Sequence, residues 1–241
     1  MMGVNVGLFS HGPQPASLAV LDACRTVPAK EEQSMVKIYG AHRSRASRNY
    51  WLAGEMGLSV EEVPVLPAHR VKDPSAADAP LNTRSAAYRK IVPIGAVPAM
   101  DDDGFVLTES LAINLYLARK FGGALGPRDA QEDAQMQQWA LFAATWVEPF
   151  ALDVMRGEDV ETAAESLRRP LAVLESRFRT EEYMVGNRFT VADINMAEVL
   201  RYAQSHPALL GEYPAVDTWL KACQARPAFL KMWARRMAEP D

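Results

Sequence analysis

The hydrophobic pattern of this 241-residue chain changes once, at Gly126-Pro127. Before this point, apolar residues form short runs of strand length, which alternate with helical segments and turn residues. After it, apolar residues recur only at helical spacing, as in the stripe from Leu167 to Phe178. The sequence therefore predicts an α/β domain followed by an all-α helical bundle domain.

The first part has the predicted order β-α-β-loop-β-β-α. The Asp103-Gly104 pair between two apolar runs is a strong hairpin signal, and Gly57 and Gly122 are placed to end helices. The predicted elements are a strand in 36–40, a helix in 41–57, a strand in 60–66, a loop with a turn or two of helix in 67–93, the hairpin strands and a helix from Ser110 to Phe121.

The second part is predicted to contain helices only, at 191–204, 214–225 and 227–237 after two longer segments. Because proline lacks an amide hydrogen, Pro149 is expected to kink or divide the first long segment, and Pro170 to bound or bend the second. Thr190 and Asp193 have the spacing of a capping box, with Asp in the place of Glu. This pair is predicted to be structural and not catalytic.

We place the domain limits at 35–122 for the α/β domain and 133–241 for the helical domain, with a linker at 123–132. Residues 1–34 show no lasting helix or strand period, and they are predicted to be a disordered N-terminal extension. They lack the positive start and uninterrupted apolar stretch of a signal peptide, so secretion is not expected.

Composition argues against several classes of function. A formal net charge of −4 gives no general electrostatic reason to bind nucleic acid or an anionic membrane. No run approaches the roughly 18 consecutive apolar residues of a membrane span. Cys24 and Cys223 cannot form a disulfide framework, and nothing beside them resembles a metal site. We therefore expect a cytoplasmic protein without a metal, and without nucleic-acid or membrane partners.

Two places in the α/β part have the chemistry of a ligand site. The bond between Val97 and Pro98 is a candidate for the cis form, which would turn the Val97 amide and carbonyl outward toward a peptide-like ligand. Glu109 and Ser110 lie where a strand ends and a helix begins, and a helix start can hold a carboxylate. On spacing alone, an ordinary trans proline and a helix capped by Thr108 or Ser110 remain alternatives.

Four motifs, PIGAVP (93–98), ESLAI (109–113), YL (116–117) and TVAD (190–193), resemble in their order those of cytosolic glutathione S-transferases. The resemblance runs from Met35 to the last residue and is to the serine-type, theta/zeta-like bacterial branch. It implies a thioredoxin-like first domain, glutathione as co-substrate, no metal, and a homodimer that serves in detoxification.

The resemblance also implies roles for the residues of the ligand site. The Val97 backbone beside a cis-Pro98 would pair with the cysteinyl part of glutathione. Glu109 would hold the ammonium of the γ-glutamyl end, while Ser110 and the helix amides would hold its carboxylate.

The reaction requires glutathione as a thiolate, and a thiol of pKa about 8.5 is only about 3% ionised at pH 7. By resemblance, the Ser44 hydroxyl donates to the thiolate, with an N-cap role for Ser44 and thiol contact by Ser47 as the alternatives. Arg43, Arg45 and Arg48 crowd a helix start, where cations are disfavoured. Their position suggests that an anion binds there, either the thiolate or a substrate carboxylate, and Arg45 is assigned to glutathione binding.

The predicted function is attack of glutathione on a hydrophobic electrophile, which is expected to lie near Trp139, Phe142 and Trp146. One alternative is a zeta-like cis/trans isomerase, because Arg43-Ser44 matches the start of its active-site segment. The other is a non-catalytic protein of the same fold that binds ligands or partners. Disulfide chemistry would need a cysteine in 41–48, and this segment has none.

Overall fold

The computed structural model describes residues 35–240, so the predicted extension 1–34 lies outside the described residues. Four short strands form one sheet, namely β1 (Lys37–Tyr39), β2 (Glu61–Val63), β3 (Ala99–Asp102) and β4 (Phe105–Thr108). Their order is β2-β1-β3-β4, with β1 parallel to β2 and antiparallel to β3, and β3 antiparallel to β4. Ile38 lies opposite Met100, and both are fully buried, as expected for central strands covered on both faces.

The hairpin between β3 and β4 has the predicted turn. Asp103 and Gly104 both have positive φ, 55° and 85°, which is the combination that a tight type I′ turn requires. The amide of Gly104 donates to the Asp101 carboxylate over 2.7 Å. The Asp-Gly signal is thus confirmed by the backbone conformation.

Three helices pack with this sheet: α1 (Ser47–Met56), α2 (Ala86–Ile91) and α3 (Ser110–Phe121). α1 ends at Gly57 in the left-handed conformation, and α3 has the predicted limits. α1 and α3 are joined by the Asn49 amide, which donates to the Ser110 carbonyl over 2.9 Å and to Asn114 over 2.7 Å. The first domain is therefore thioredoxin-like, as predicted.

The second domain is all-helical. Its helices are α4 (Ala130–Phe142), α5 (Glu148–Arg156), α6 (Val160–Phe178), α7 (Val191–Leu200), α8 (Pro207–Gly211), α9 (Pro214–Gln224) and α10 (Pro227–Ala238). A π-helical turn at Ala143–Val147 separates α4 from α5, and Pro149 lies in the first turn of α5, where a missing amide hydrogen costs nothing. The division predicted at Pro149 is confirmed. Within residues 35–240, each helix is either too short or too polar to span a bilayer.

Of the boundary or bend expected at Pro170, the boundary is wrong, because α6 continues through this residue, and the bend stays a prediction. Leu167, Leu171 and Leu174 on the same helix are fully buried. Burial of this apolar face offsets the about 3 kcal/mol that an interior proline costs a helix.

The capping box at the start of α7 is confirmed. The Asp193 carboxylate accepts from the Thr190 amide over 2.9 Å, and its other oxygen accepts from the Met184 amide and the Trp219 indole over 2.9 and 3.0 Å. Burial raises the pKa of Asp193 to about 6, although these hydrogen bonds act in the opposite direction. Asp193 therefore joins α7, α9 and the preceding loop, and its role is structural as predicted.

Candidate functional site

A cavity of about 630 Å³ lies between the first turn of α3 and the junction of α4 with α5. Five of the predicted site residues line it together: Arg45, Val97, Pro98, Glu109 and Ser110. Ser44 is not part of the wall. The tertiary structure thus brings residues from three separate sequence segments to one cleft.

The peptide bond between Val97 and Pro98 is cis, so the trans alternative is wrong. Among the described residues, no hydrogen bond uses the amide or the carbonyl of Val97. Gly95 just before it has a φ of 65°, and a Cβ there would lie 2.4 Å from the Thr83 carbonyl oxygen. Only glycine fits this close approach. Val97 lines the cavity, and its backbone amide and carbonyl have no hydrogen-bond partner among the described residues.

The N-terminus of α3 forms the second part of the site. Glu109 precedes the helix with a φ of 67°, and no side chain within residues 35–240 caps the helix, so the capping alternative for Thr108 and Ser110 is wrong. The first intrahelical bond is from the Ile113 amide to the Glu109 carbonyl over 2.9 Å. The amides of the first turn therefore remain available to an anion.

Ser110 is oriented by a buried arginine. The Arg48 guanidinium, 1% exposed, donates to the Ser110 hydroxyl oxygen over 3.0 Å. The hydroxyl oxygen accepts this bond, and its own proton has no acceptor among the described residues. Ser110 can therefore donate that proton to a carboxylate in the cavity.

The anion beside the crowded arginines is part of the chain itself. Glu148 accepts from Arg45 Nε and Arg48 Nη2, both over 2.7 Å. Burial raises the pKa of Glu148, but the two guanidinium groups outweigh this and hold it below its usual range. Arg43 contacts Glu239 instead, because its backbone amide donates to the Glu239 carboxylate over 2.8 Å. Two of the three arginines are thus paired with an acid of the chain itself, and the binding of a substrate anion beside them stays a prediction.

This network was missed from the sequence for a physical reason. Glu148 is 100 residues from Arg48 in the chain, and no spacing rule connects two elements that meet only when the domains pack. The crowding of cations at a helix start was the one local signal that an acid had to be near.

Ser44 lies beside the cavity with its hydroxyl engaged. Its Oγ donates to the Ala41 carbonyl over 2.7 Å and accepts from the Ala46 amide over 3.1 Å. Both Ser44 and Val97 lie close to Gly40. A Cβ added to Gly40 would be 3.4 Å from the Ser44 Oγ and 3.5 Å from the Val97 Cβ. Ser44 is thus a neighbour of Val97.

Ser47 is directed into the protein interior. It is fully buried and donates to Glu198 over 2.8 Å. Because this hydroxyl serves a contact between α1 and α7, it does not reach the cavity.

The apolar wall differs from expectation. Trp139, Phe142 and Trp146 do not line the cavity. Trp139 and Phe142 contact each other edge to face, with ring centroids 5.3 Å apart, and the Arg169 guanidinium lies 4.9 Å from the Trp146 ring. The apolar lining comes instead from Leu111, Ala112, Leu115, Ala140, Leu141 and Ala144.

Comparison with known proteins agrees with this fold. Family models of the glutathione S-transferase N-terminal and C-terminal domains match residues 38–125 and 135–227. The chain is similar to the apo structure of glutathione S-transferase III, with 30% identity and a TM-score of 0.69, over 86% of this chain and 99% of that one.

Two further relatives differ in kind. The theta class glutathione S-transferase of Xanthomonas axonopodis pv. citri, solved with glutathione bound, has 24% identity and a TM-score of 0.67, over 82% of this chain and 96% of that one. Elongation factor 1-gamma of Carassius auratus is 36% identical over 160 residues, which is 61% of this chain and 35% of that protein. The chain thus spans about a third of the length of the curated relatives it matches.

Both domain models match this chain in order, and a solved relative that is 30% identical is covered almost end to end. The chain therefore belongs to the glutathione S-transferase family.

Proposed function

We propose that the chain binds glutathione in the 630 Å³ cavity and acts as a glutathione S-transferase on a hydrophobic electrophile. One observation carries this proposal: the same cavity is lined by Val97 and by the first turn of α3, and the amide and carbonyl of Val97 and the first amides of α3 have no hydrogen-bond partner among the described residues. An extended peptide would pair with Val97. The γ-glutamyl carboxylate would accept from the α3 amides and Ser110, and its ammonium would face the exposed Glu109.

The proposed mechanism activates the thiol through Ser44, as in the serine-type classes. On binding, the Ser44 hydroxyl would rotate from the Ala41 carbonyl and donate to the sulfur, which lies beside Val97. This donation favours the thiolate, whose proton passes to solvent. The sulfur then forms a bond to the electrophilic carbon, and the leaving group departs with its electron pair. Arg45 at the cavity wall would add positive potential.

The apolar wall from Leu111 to Ala144 would hold the electrophile. Its side chains are small or aliphatic, which suits an alkyl or flat aryl group. We further propose that the protein is a homodimer in the cytoplasm and that the reaction uses no metal.

The second candidate is a non-catalytic protein that binds glutathione or a partner. Two observations favour it: the Ser44 hydroxyl is already satisfied by Ala41, and the curated relatives that the chain matches include elongation factor 1-gamma proteins.

Glutathione titrated into the wild type and Ser44→Ala would separate the two candidates. Calorimetry measures binding, ultraviolet difference absorbance measures the thiolate, and turnover is followed with an aryl halide. We expect a thiolate in the wild type that is lost in Ser44→Ala but kept in Ser166→Ala, a half-buried serine on α6 that lies outside the cavity wall and whose hydroxyl also donates to a backbone carbonyl. Binding without thiolate in the wild type would favour the second candidate. No binding of glutathione would contradict the transferase and leave only the partner-binding form of the second candidate.

A further inference from the structure

The turn Ala41–Ser44, here called the Ser44 turn, is held by residues from the far end of the chain. The amides of His42 and Arg43 donate to the two carboxylate oxygens of Glu239, each over 2.8 Å. One carboxylate thus satisfies two successive amides that no described backbone carbonyl accepts. Such a pair of charge-assisted bonds fixes both the position and the orientation of the turn.

The carbonyls of the same turn are bound by two arginines. Arg236 Nη1 donates to the carbonyls of His42 and Ser44 over 2.8 and 3.1 Å, and Arg70 Nη1 donates to the Arg43 carbonyl over 3.0 Å. Arg70 also binds the Pro240 carbonyl. The turn therefore depends on three charged side chains for most of its backbone hydrogen bonds.

Long-range packing keeps these side chains in place. α10 packs along α1, with the Trp51 and Phe229 rings in edge-to-face contact at 4.9 Å. Beside it, Arg235 binds both carboxylate oxygens of Glu62, and Glu62 accepts from the His42 ring over 3.2 Å. The end of α10 is thus anchored on both sides of the Ser44 turn.

We propose that Glu239 and Arg236 are positioning residues, which hold the Ser44 turn so that the Ser44 hydroxyl can reach the sulfur of bound glutathione. This inference rests on the proposed function. The two side chains lie outside the cavity wall and would touch neither substrate. Their effect is on where Ser44 lies, because Glu239 binds the amides of the two residues before it and Arg236 binds the carbonyls of His42 and of Ser44 itself.

The charges around Glu239 favour this arrangement. Arg43 donates to the Glu239 carbonyl over 3.2 Å, and Arg70 and Arg236 bind the same turn. Burial lowers the pKa of the His42 imidazole, although its hydrogen bond to Glu62 opposes this. Among the described residues, the Glu239 carboxylate is the acceptor of the His42 and Arg43 amides, and its loss would leave these two amides without that acceptor.

The test is Glu239→Gln, which keeps the shape but turns an amide NH2 toward one of the two backbone donors. We expect the pKa of the bound glutathione thiol to rise by about one unit, so that kcat/KM measured at a pH below that pKa falls about tenfold with the thiolate fraction. At the same pH the glutathione Kd should change less than twofold, because glutathione then binds mainly as the thiol, and Val97, Glu109 and Ser110 are untouched. Arg236→Met should also raise the thiol pKa and lower kcat/KM. Glu239→Asp keeps a carboxylate, so its thiol pKa and kcat/KM should lie between those of the wild type and Glu239→Gln.

The matched control is Met237→Gln, an exposed position on the same helix that should match the wild type. Hydrogen exchange in the free protein supplies a second readout, in which Glu239→Gln should speed exchange of the His42 and Arg43 amides. An unchanged thiol pKa in Glu239→Gln beside a normal wild-type thiolate would overturn the positioning role alone. A wild type that binds glutathione but forms no thiolate would overturn the proposed transferase, and the role in thiol activation with it.

Discussion

Replacement of Arg48 by Met tests the buried network behind the cavity. Arg48 is 1% exposed, and its guanidinium donates to the Ser110 hydroxyl and to both oxygens of Glu148. Met fills a similar space without the charge. The variant therefore leaves a largely buried carboxylate with Arg45 as its remaining described partner.

Loss of one partner from a buried ion pair costs about 3–5 kcal/mol. The Glu148 side chain is 13% exposed and keeps Arg45, so we expect Arg48→Met to lower the free energy of unfolding by about 3 kcal/mol. Ser110 also loses the donor that orients it. We therefore expect the glutathione Kd to rise about tenfold, which corresponds to about 1.4 kcal/mol.

Urea unfolding followed by tryptophan fluorescence gives the first quantity and calorimetry the second. The double variant Arg48→Met/Glu148→Gln removes both charges, so it should be more stable than the sum of the single losses by about 1–3 kcal/mol. Arg45→Met is the control, because an exposed ion pair contributes less than about 1 kcal/mol. Strict additivity of the two single variants, or an Arg48→Met protein as stable as Arg45→Met, would refute the reasoning.

Three further predictions concern the scaffold. The Arg188 guanidinium and its neighbours hold the pKa of Glu132 well below its usual range. The stabilisation from the ionised Glu132 is present above the pKa of this group in the unfolded chain and is lost as pH falls, so the wild type should lose more stability than Glu132→Gln on acidification below about pH 4.5. Parallel pH profiles of the two proteins in urea unfolding would contradict this. Gly95→Ala places a Cβ 2.4 Å from the Thr83 carbonyl oxygen at a position of positive φ. We expect the free energy of unfolding to fall by about 2 kcal/mol or more, and calorimetry to show weaker glutathione binding. A variant as stable as the wild type would show that the turn can relax. The pKa of Asp193 is raised in the folded state to about 6, from 3.8, so the folded state binds this proton more tightly than the unfolded chain. The free energy of unfolding of the wild type should therefore fall as pH rises from 4 to 6, relative to that of Asp193→Asn. The same pH slope in both proteins would show that other groups cause the pH dependence.

Signals confined to a few residues were read correctly from the sequence. The Asp103-Gly104 turn, the helix end at Gly57 and the capping box of Thr190 all depend on backbone chemistry within one turn. The motif residues at 97 and 109–110 also lie at the cavity, as the sequence suggested. The cis bond after Val97 and the step from a strand end to a helix start at 109–110 are both features of adjacent residues.

Contacts between distant segments were decided by the tertiary structure alone. Nothing local distinguishes Glu148 or Glu239 from any exposed acid, yet packing brings one to Arg48 and the other to the amides of the Ser44 turn. Pro170 could remain inside a helix because buried neighbours offset its cost. Local propensity is set by the atoms of neighbouring residues, whereas the partner of a charge depends on how whole elements pack.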